Sequence, residues 1–449
     1  MRLTVALSGS QSGSVLVATA AFVAVMLISA LAIVSIGSQD AALAARDAQA
    51  AAAFYLAEAG VERGQSWLNS QYTAPGDTLS PFGQDPDVLG IGTYTVMIEP
   101  GGDPTRTVYT VRSVGTVAGE TRAIEIDVRS RTFLDYLFFT NRDAGPGGTK
   151  NFVSEETVDG PVHTNGQIRI WGDPVFTNTV ESVDTEVRYY NNGFPIDSSA
   201  PSNPPHDEPD WQCGYALGVP SIDWLTGADM AVLEGAAEIS LTGDYDIEFG
   251  RAEGVSPLIG YVSYSDEGME DWTDVPLSSF NGIIHVDGDA NVCGIVDGEV
   301  TVATSGDICV VDDLVYHGRD GDAPSEGCDD IIGLAATNQV IVADTGPNRS
   351  DCVIHAHVIA IENEGCIVEN YTTGSPRGTL TLHGGVAQDK WGPVGLGYVL
   401  NGRLIVLTGY RRDFHYDPRF LDMMPPGYEL ILDRAGTYYR IAWRDLASG

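Results

Sequence analysis

The chain has 449 residues, 43% of them hydrophobic, and carries 62 Asp and Glu against 24 Lys and Arg, a net charge of −38. That is room for two or three domains with a real apolar core. The acid excess excludes nucleic acid, anionic lipid and acidic polysaccharide as partners, because the summed field repels polyanions. Lys150 and Lys390 are the only lysines, so the positive charge is almost entirely arginine. A solvated acidic surface is the simplest origin of the imbalance, and a salty habitat or divalent-ion loading would fit it too.

Taken in chain order, a short leader, residues 1–13, ends at Gly13 and holds one charge, Arg2. Residues 14–37 then form a transmembrane helix. From Val15 to Ile36 there is no charge, no Pro and no Gly, and about 22 residues at helical rise span roughly 33 Å, the thickness of a bilayer's hydrocarbon core. A cleavable signal has a shorter apolar core, which favours retention, although a long signal cut after the small residues 41–45 is the alternative. With Arg2 before the span and Asp40 the first acid after it, the leader stays cytoplasmic and the rest is exported.

Residues 38–72 extend the helix. The stretch is Ala-rich and carries a seam of Leu43, Ala50, Phe54, Ala57, Val61 and Leu68 at heptad-like spacing, suited to packing against other helices. Pro75 and Gly76 end it. Residues 73–132 change to period two: GTYTVMI, TVYTVRSVGTV and TRAIEIDVR alternate, with Ile124, Ile126 and Val128 on one face. This is a small antiparallel meander covered by the preceding helix.

Residues 133–449 read as a long series of short β runs. Gly, Asp and Asn mark the corners, including Gly288, Gly298 and Gly306. An insertion at about 190–280 carries a Pro-rich loop and a short helix near Asp229–Ala237. Short strands without intervening helices fit a parallel β-solenoid in preference to a sandwich. The fold class is therefore mainly β: a long N-terminal transmembrane helix, a small α+β meander module and a β-solenoid head.

Six cysteines (Cys213, Cys293, Cys309, Cys328, Cys352, Cys366) lie in the exported part, where disulfides can form. Their pairing is open, with Cys293–Cys309 one bridge between neighbouring coils. No CxxC occurs, which argues against structural zinc. His355 and His357 share one strand face at metal-ligand spacing but lack a third ligand nearby, so core or groove roles are favoured. His163 and His285 fall at coil corners. Asp312–Asp313 and Asp329–Asp330, with the DGD loops, offer oxygen ligands for calcium, yet no EF-hand spacing is present. No metal site is assigned, calcium remaining the one cofactor these loops would suit. Trp171, Trp211, Trp224, Trp272 and Trp391 are candidate platforms for a neutral glycan, against ordinary packing roles. No catalytic constellation is found, and the chain is read as a non-enzyme.

The leader ending in Gly13, the apolar span and the block AFYLAEAGVE at 53–62 together resemble a PilX-type type IV pilus assembly protein. That resemblance implies cleavage by a prepilin peptidase after Gly13, leaving Ser14 as the mature N-terminus. It also implies assembly with other pilin-like subunits through the N-terminal helix. The later blocks, from FLDYLFFTNRDAG to GYRRDFHYDPRFLDMMPPGY, resemble a bacterial domain of unassigned function often fused to pilin-like N-termini. Major pilins carry Glu five residues after the cut; here that position is Ala18. A subunit without that acid is poorly suited to a filament's repeating body, since a neighbour's buried terminal amine would lack its partner. The expectation is a minor, tip or priming subunit anchored by one span in a bacterial inner membrane, its C-terminal domain periplasmic or extracellular. Alternatives are an envelope scaffold or adhesin independent of pili and, less favoured, a carbohydrate-active β-helix enzyme.

Overall fold

The computed structural model describes residues 11–70, 76–101, 108–142, 151–191, 194–197, 207–250, 260–400, 403–432 and 438–446. The first element is one helix, Gln11–Asn69, of 59 residues and roughly 88 Å. Span and Ala-rich extension form a single rod, because nothing between Gln11 and Asn69 breaks a helix: there is no Pro, and Ala predominates after residue 40.

The C-terminal third of the rod lies on an antiparallel sheet with strand order Asp87–Leu89, Gly92–Pro100, Val108–Val117, Glu120–Ser130, Tyr438–Leu446. The alternation in the sequence is realised: Ile124, Ile126 and Val128 are wholly buried beneath the helix. Ala118 (φ 48°) and Gly119 (φ 91°) make the tight left-handed turn that joins two right-twisted strands. The fifth strand comes from the other end of the chain. Tyr438 pairs with Ser130 and Leu446 with Ala123, so everything between those strands is an excursion out of one sheet. The sequence alone groups 438–446 with the head, because its alternation is blurred where Ile441 and Trp443 stay exposed at the sheet edge.

The excursion is built of short strands in parallel rows. One row runs Ile239–Thr242, Ile283–Asp287, Glu299–Thr304, Ile331–Ala336, then part of Cys352–Gly365 and part of Pro376–Trp391. It continues without interruption through Phe138–Arg142, Val162–Thr164, Val180–Ser182 and Tyr215–Leu217. The chain thus enters at the middle of the row, builds outward to residue 217, crosses to the far end, and builds back to the middle. Entry and exit are consequently adjacent, and that is what lets so long a segment be inserted between two neighbouring strands.

An apolar ladder crosses this junction in register: Ile284, Val302, Leu334, Val358, Val386, Phe138, Val162 and Val180. These side chains point into one continuous core. A second ladder, Leu314, Ile354, Leu382, Phe414, Val158, Phe176 and Trp211, closes it from another side. The outer face of the first row is also apolar. It is covered by Phe133–Asp135, the crossing helix Gly227–Ala236 and the segment Pro418–Leu432, through Leu233, Phe420, Tyr428 and Ile431. The expected insertion at 190–280 therefore contributes strands and a covering helix to the head itself.

Head and sheet are fastened where the excursion begins and ends. Arg129 donates to the Leu421 carbonyl at 2.8 Å and to the Tyr439 hydroxyl, and lies 3.4 Å from Asp135. Asp135 in turn caps its own turn by accepting from the Thr132 N–H at 2.7 Å.

Candidate functional site

The feature most in need of a partner is the N-terminal part of the rod. Every residue from Val15 to Ala48 is exposed, and thirteen large apolar side chains between Val15 and Ile36 are each more than half exposed. Fully burying one such side chain is worth about 1.5–3 kcal/mol, so thirteen that are each a little over half exposed leave on the order of 10–20 kcal/mol uncollected in water. That rivals the net stability of a whole domain, roughly 5–15 kcal/mol. A bilayer or a bundle of apolar helices must cover it. Mean hydropathy over the most apolar 18-residue window of the helix is 2.6.

The rod's apolar packing on its own sheet begins at Ala52 and Ala53, and small residues set how closely. A β carbon on Gly60 would lie 2.0 Å from Ser113 Oγ, one on Gly64 2.6 Å from Val111 Cγ1, and one on Gly115 2.1 Å from the Ala53 carbonyl oxygen. The sequence seam accordingly splits. Ala57, Val61 and Leu68 are buried against the sheet, Phe54 is half-buried with its ring edge-on to Trp443 at 6.2 Å, and Leu43 is 58% exposed. Ala50 is half-buried, so of the six Leu43 alone is exposed and open to a second helix. Gly13 and Ser14 fall in the first turn of Gln11–Asn69, and the leader residues 1–10 lie outside the described residues. Ala18 is exposed on the bare rod. Past the apolar span the first ion pair fixing the rod is Arg46 to Glu120, 2.7 Å.

In the head, most sequence-predicted polar residues serve the corners. Asp330 accepts from the N–H groups of Gly298 and Gly318, both at 2.8 Å, Asp313 from Val353 N–H at 2.8 Å, and Asp289 from Asp307 N–H at 2.7 Å. Their oxygens are committed to main-chain donors, and among the described residues no three His, Cys, Asp or Glu side chains are grouped to hold a metal ion. None of the six cysteines is in a disulfide. Cys309 lies opposite Asn291, which puts the Cys293 Cα about 8 Å away by strand geometry, too far for the expected bridge. Burial pushes the Cys309 and Cys366 thiols up to about 12.

His355 and His357 do share a face, the outer one, and both are buried. Tyr316 N–H donates to His355 Nδ1 at 3.0 Å, and His355 Nε2 lies 2.8 Å from the Asp322 carbonyl oxygen. His357 is enclosed by the rings of Phe420 and Tyr428. The parallel register adds what the sequence hid: His355, His383, His415 and Asp159 are direct neighbours on four successive rungs. The His383 and His415 rings stack at 4.8 Å, and His415 is held between Asp159 at 3.0 Å and Asp413 at 3.1 Å. Burial, then the neighbouring His415, pushes His383 below the usual histidine range. No sequence period marks this row, because the segments between its members differ in length.

His163 is buried elsewhere on the outer face, stacked on Phe139 at 5.3 Å with Nδ1 3.3 Å from Glu181. Burial alone would raise the Glu181 carboxyl, but His163 and Arg131 hold it below the ordinary value. Among the tryptophans, Trp211 stacks on Phe176 at 4.5 Å and Trp224 on Phe139 at 5.4 Å, both as packing. Trp171 and Trp391 line a cavity of about 190 Å³ together with Glu155 and Glu156. Glycoside hydrolysis uses two carboxylates on opposite sides of a bond. Here Glu155 is paired with Arg411 at 3.2 Å and Glu156 with Arg412 at 2.9 Å, and burial raises the Glu156 carboxyl. The cavity wall is charge-balanced and offers no opposed pair.

Residues 102–185 match a family described as a domain of unknown function, DUF4900, which spans the last meander strands and the first rungs of the head. No curated protein matches the chain. Among solved structures it is similar to the competence-associated pilin ComZ from Thermus thermophilus, at 12% identity and a TM-score of 0.34, over 89% of this chain and 98% of that one.

Proposed function

We propose that this protein is a membrane-anchored, pilin-like structural subunit, and a minor, tip or priming component of a type IV pilus or related filament. The single observation that carries the reading is the rod: bare and apolar over its first half, seated on an antiparallel sheet over its last third. A helix of that form anchors in the inner membrane before assembly and packs among like helices afterwards. Prepilin peptidase acts at Gly13–Ser14, and Leu43 is the seam residue left open to a neighbour. Ala18, where a body subunit needs an acid, favours a place at the filament's end.

In this reading the parallel rows are the coils of a β-solenoid, a rigid head that supplies shape and a binding surface instead of catalysis. Its in-register apolar ladders and Asp-capped corners support that description. Immunogold labelling of sheared filaments tests the placement: gold confined to filament ends is expected, and even labelling along the shaft would contradict it.

A further inference from the structure

Residues 395–400 and 403–408 leave the rows as an antiparallel arm, in which Gly395–Leu400 pairs with the first part of Arg403–Tyr416. Among the described residues Gly395–Leu400 has no second strand partner, so one edge of its main chain is unmatched. Edges of this kind are ordinarily guarded by Pro, Lys or a bulge that turns them away. This one reads GLGYVL and carries no charge and no Pro, and the bulge in its ladder, beside Leu396 and Gly397, places the extra residue, Leu407, on the inner strand.

The arm is apolar on both faces. Val399, Leu404 and Val406 overlie the 190 Å³ cavity. On the other face Leu400, Ile405 and Leu407 are 37–53% exposed, and Leu396 and Tyr398, which also reach the cavity's rim, are 45% and 40% exposed, with Tyr398 directly opposite Ile405. The arm does not hang loose. Glu155, held at φ 61°, accepts from Leu404 N–H at 3.3 Å and from Arg411 at 3.2 Å, which ties the returning strand to the coil wall.

We propose that this arm receives an extended segment of another protein by strand addition, a segment apolar at alternate residues and bearing an acid at the end that meets Arg403. The free edge supplies main-chain hydrogen bonds and the bare face packs alternate side chains; six residues at about 3.4 Å each give a track of roughly 20 Å. Local charge selects the occupant. Glu155 and Glu156 are each matched by an arginine, whereas Arg403 is exposed and, among the described residues, in no ion pair. A second copy of this chain is disfavoured, since each carries −38.

The test uses the full chain in detergent micelles and a synthetic peptide of alternating Val and Thr that ends in Asp. Saturable binding below 1 mM is expected, with slowed amide exchange at residues 396–400. N-methylation of alternate peptide amides should weaken binding at least tenfold. Exchanging the terminal Asp for Lys should weaken it at least threefold, and Arg403→Glu should reverse that preference. Absence of saturation, equal binding of the N-methylated peptide, or unchanged charge preference in Arg403→Glu would overturn the proposal. So would binding of cellohexaose in the peptide's place, or a dimer that protects the same amides with no peptide present.

Discussion

Gly115 sits where the helix comes nearest the sheet, and replacing it tests whether the rod is truly seated there. In Gly115→Ala the new β carbon would lie 2.1 Å from the Ala53 carbonyl oxygen, 2.7 Å from the Ala57 nitrogen and 3.0 Å from the Leu56 Cβ. No side-chain rotation relieves the first two contacts, because both belong to helix backbone. Ordinary contact requires helix and sheet to part by about 1 Å along Ala53, Ala57 and Val61. Overpacking a core costs about 1–3 kcal/mol, and relief by backbone movement places this variant near 3 kcal/mol. For a module of this size, that lowers the melting temperature by roughly 12–24 °C. Site-resolved hydrogen exchange on the full chain in micelles separates this module from the head, so the loss should appear at Val111, Ile124 and Ile126. Gly119→Asn is the control: Gly119 has φ 91° with no atom near its would-be β carbon, and Asn tolerates that conformation. A Gly115→Ala protein melting within about 2 °C of wild type, with undiminished protection, would refute the docking.

The remaining predictions use other parts of the chain. Leu27→Arg puts a charge at the middle of the bare span, at about 2.5–3.5 kcal/mol on insertion scales, and should move the protein out of carbonate-resistant membranes. His355 is pushed down to about 4, by burial first and then by His383 and Arg319, against the Asp322 carbonyl and Asp417. Its unfolded value is higher, so stability of order 3 kcal/mol present above about pH 6.5 is lost as pH falls toward 4. An NMR titration placing His355 near 6.5 would contradict this. Ser113 Oγ is buried without a hydrogen-bond partner beneath Gly60, and Ser113→Ala should stabilise the module by about 1 kcal/mol in denaturant titrations.

How much was legible beforehand follows from periodicity. The apolar run at Val15–Ile36 and the alternation at 123–128 each declare an element locally, and both are as read. Membership of the fifth strand was not legible, because Tyr438–Leu446 lies at an edge and, past the buried Tyr438, carries exposed residues on both sides of its pleat. The jump from Val386 to Phe138 in one apolar ladder was equally hidden: parallel neighbours need no closeness in sequence. The same property concealed the row His355, His383, His415, since two of its members come from single histidines in unrelated blocks. Seam residues Ala57, Val61 and Leu68 looked free for partner helices because small residues at heptad spacing suit either surface. The close approach at Gly60 and Gly64 assigned them to the chain's own sheet.

Central to the account is a rod retained at the front of the mature chain and processed as a pilin. The mass of the N-terminal peptide from membrane-extracted protein tests it most directly. The account predicts a chain that begins at Ser14, with the whole apolar span present. A chain starting beyond Ala45, or one still carrying Met1 and recovered from the soluble fraction, would contradict it.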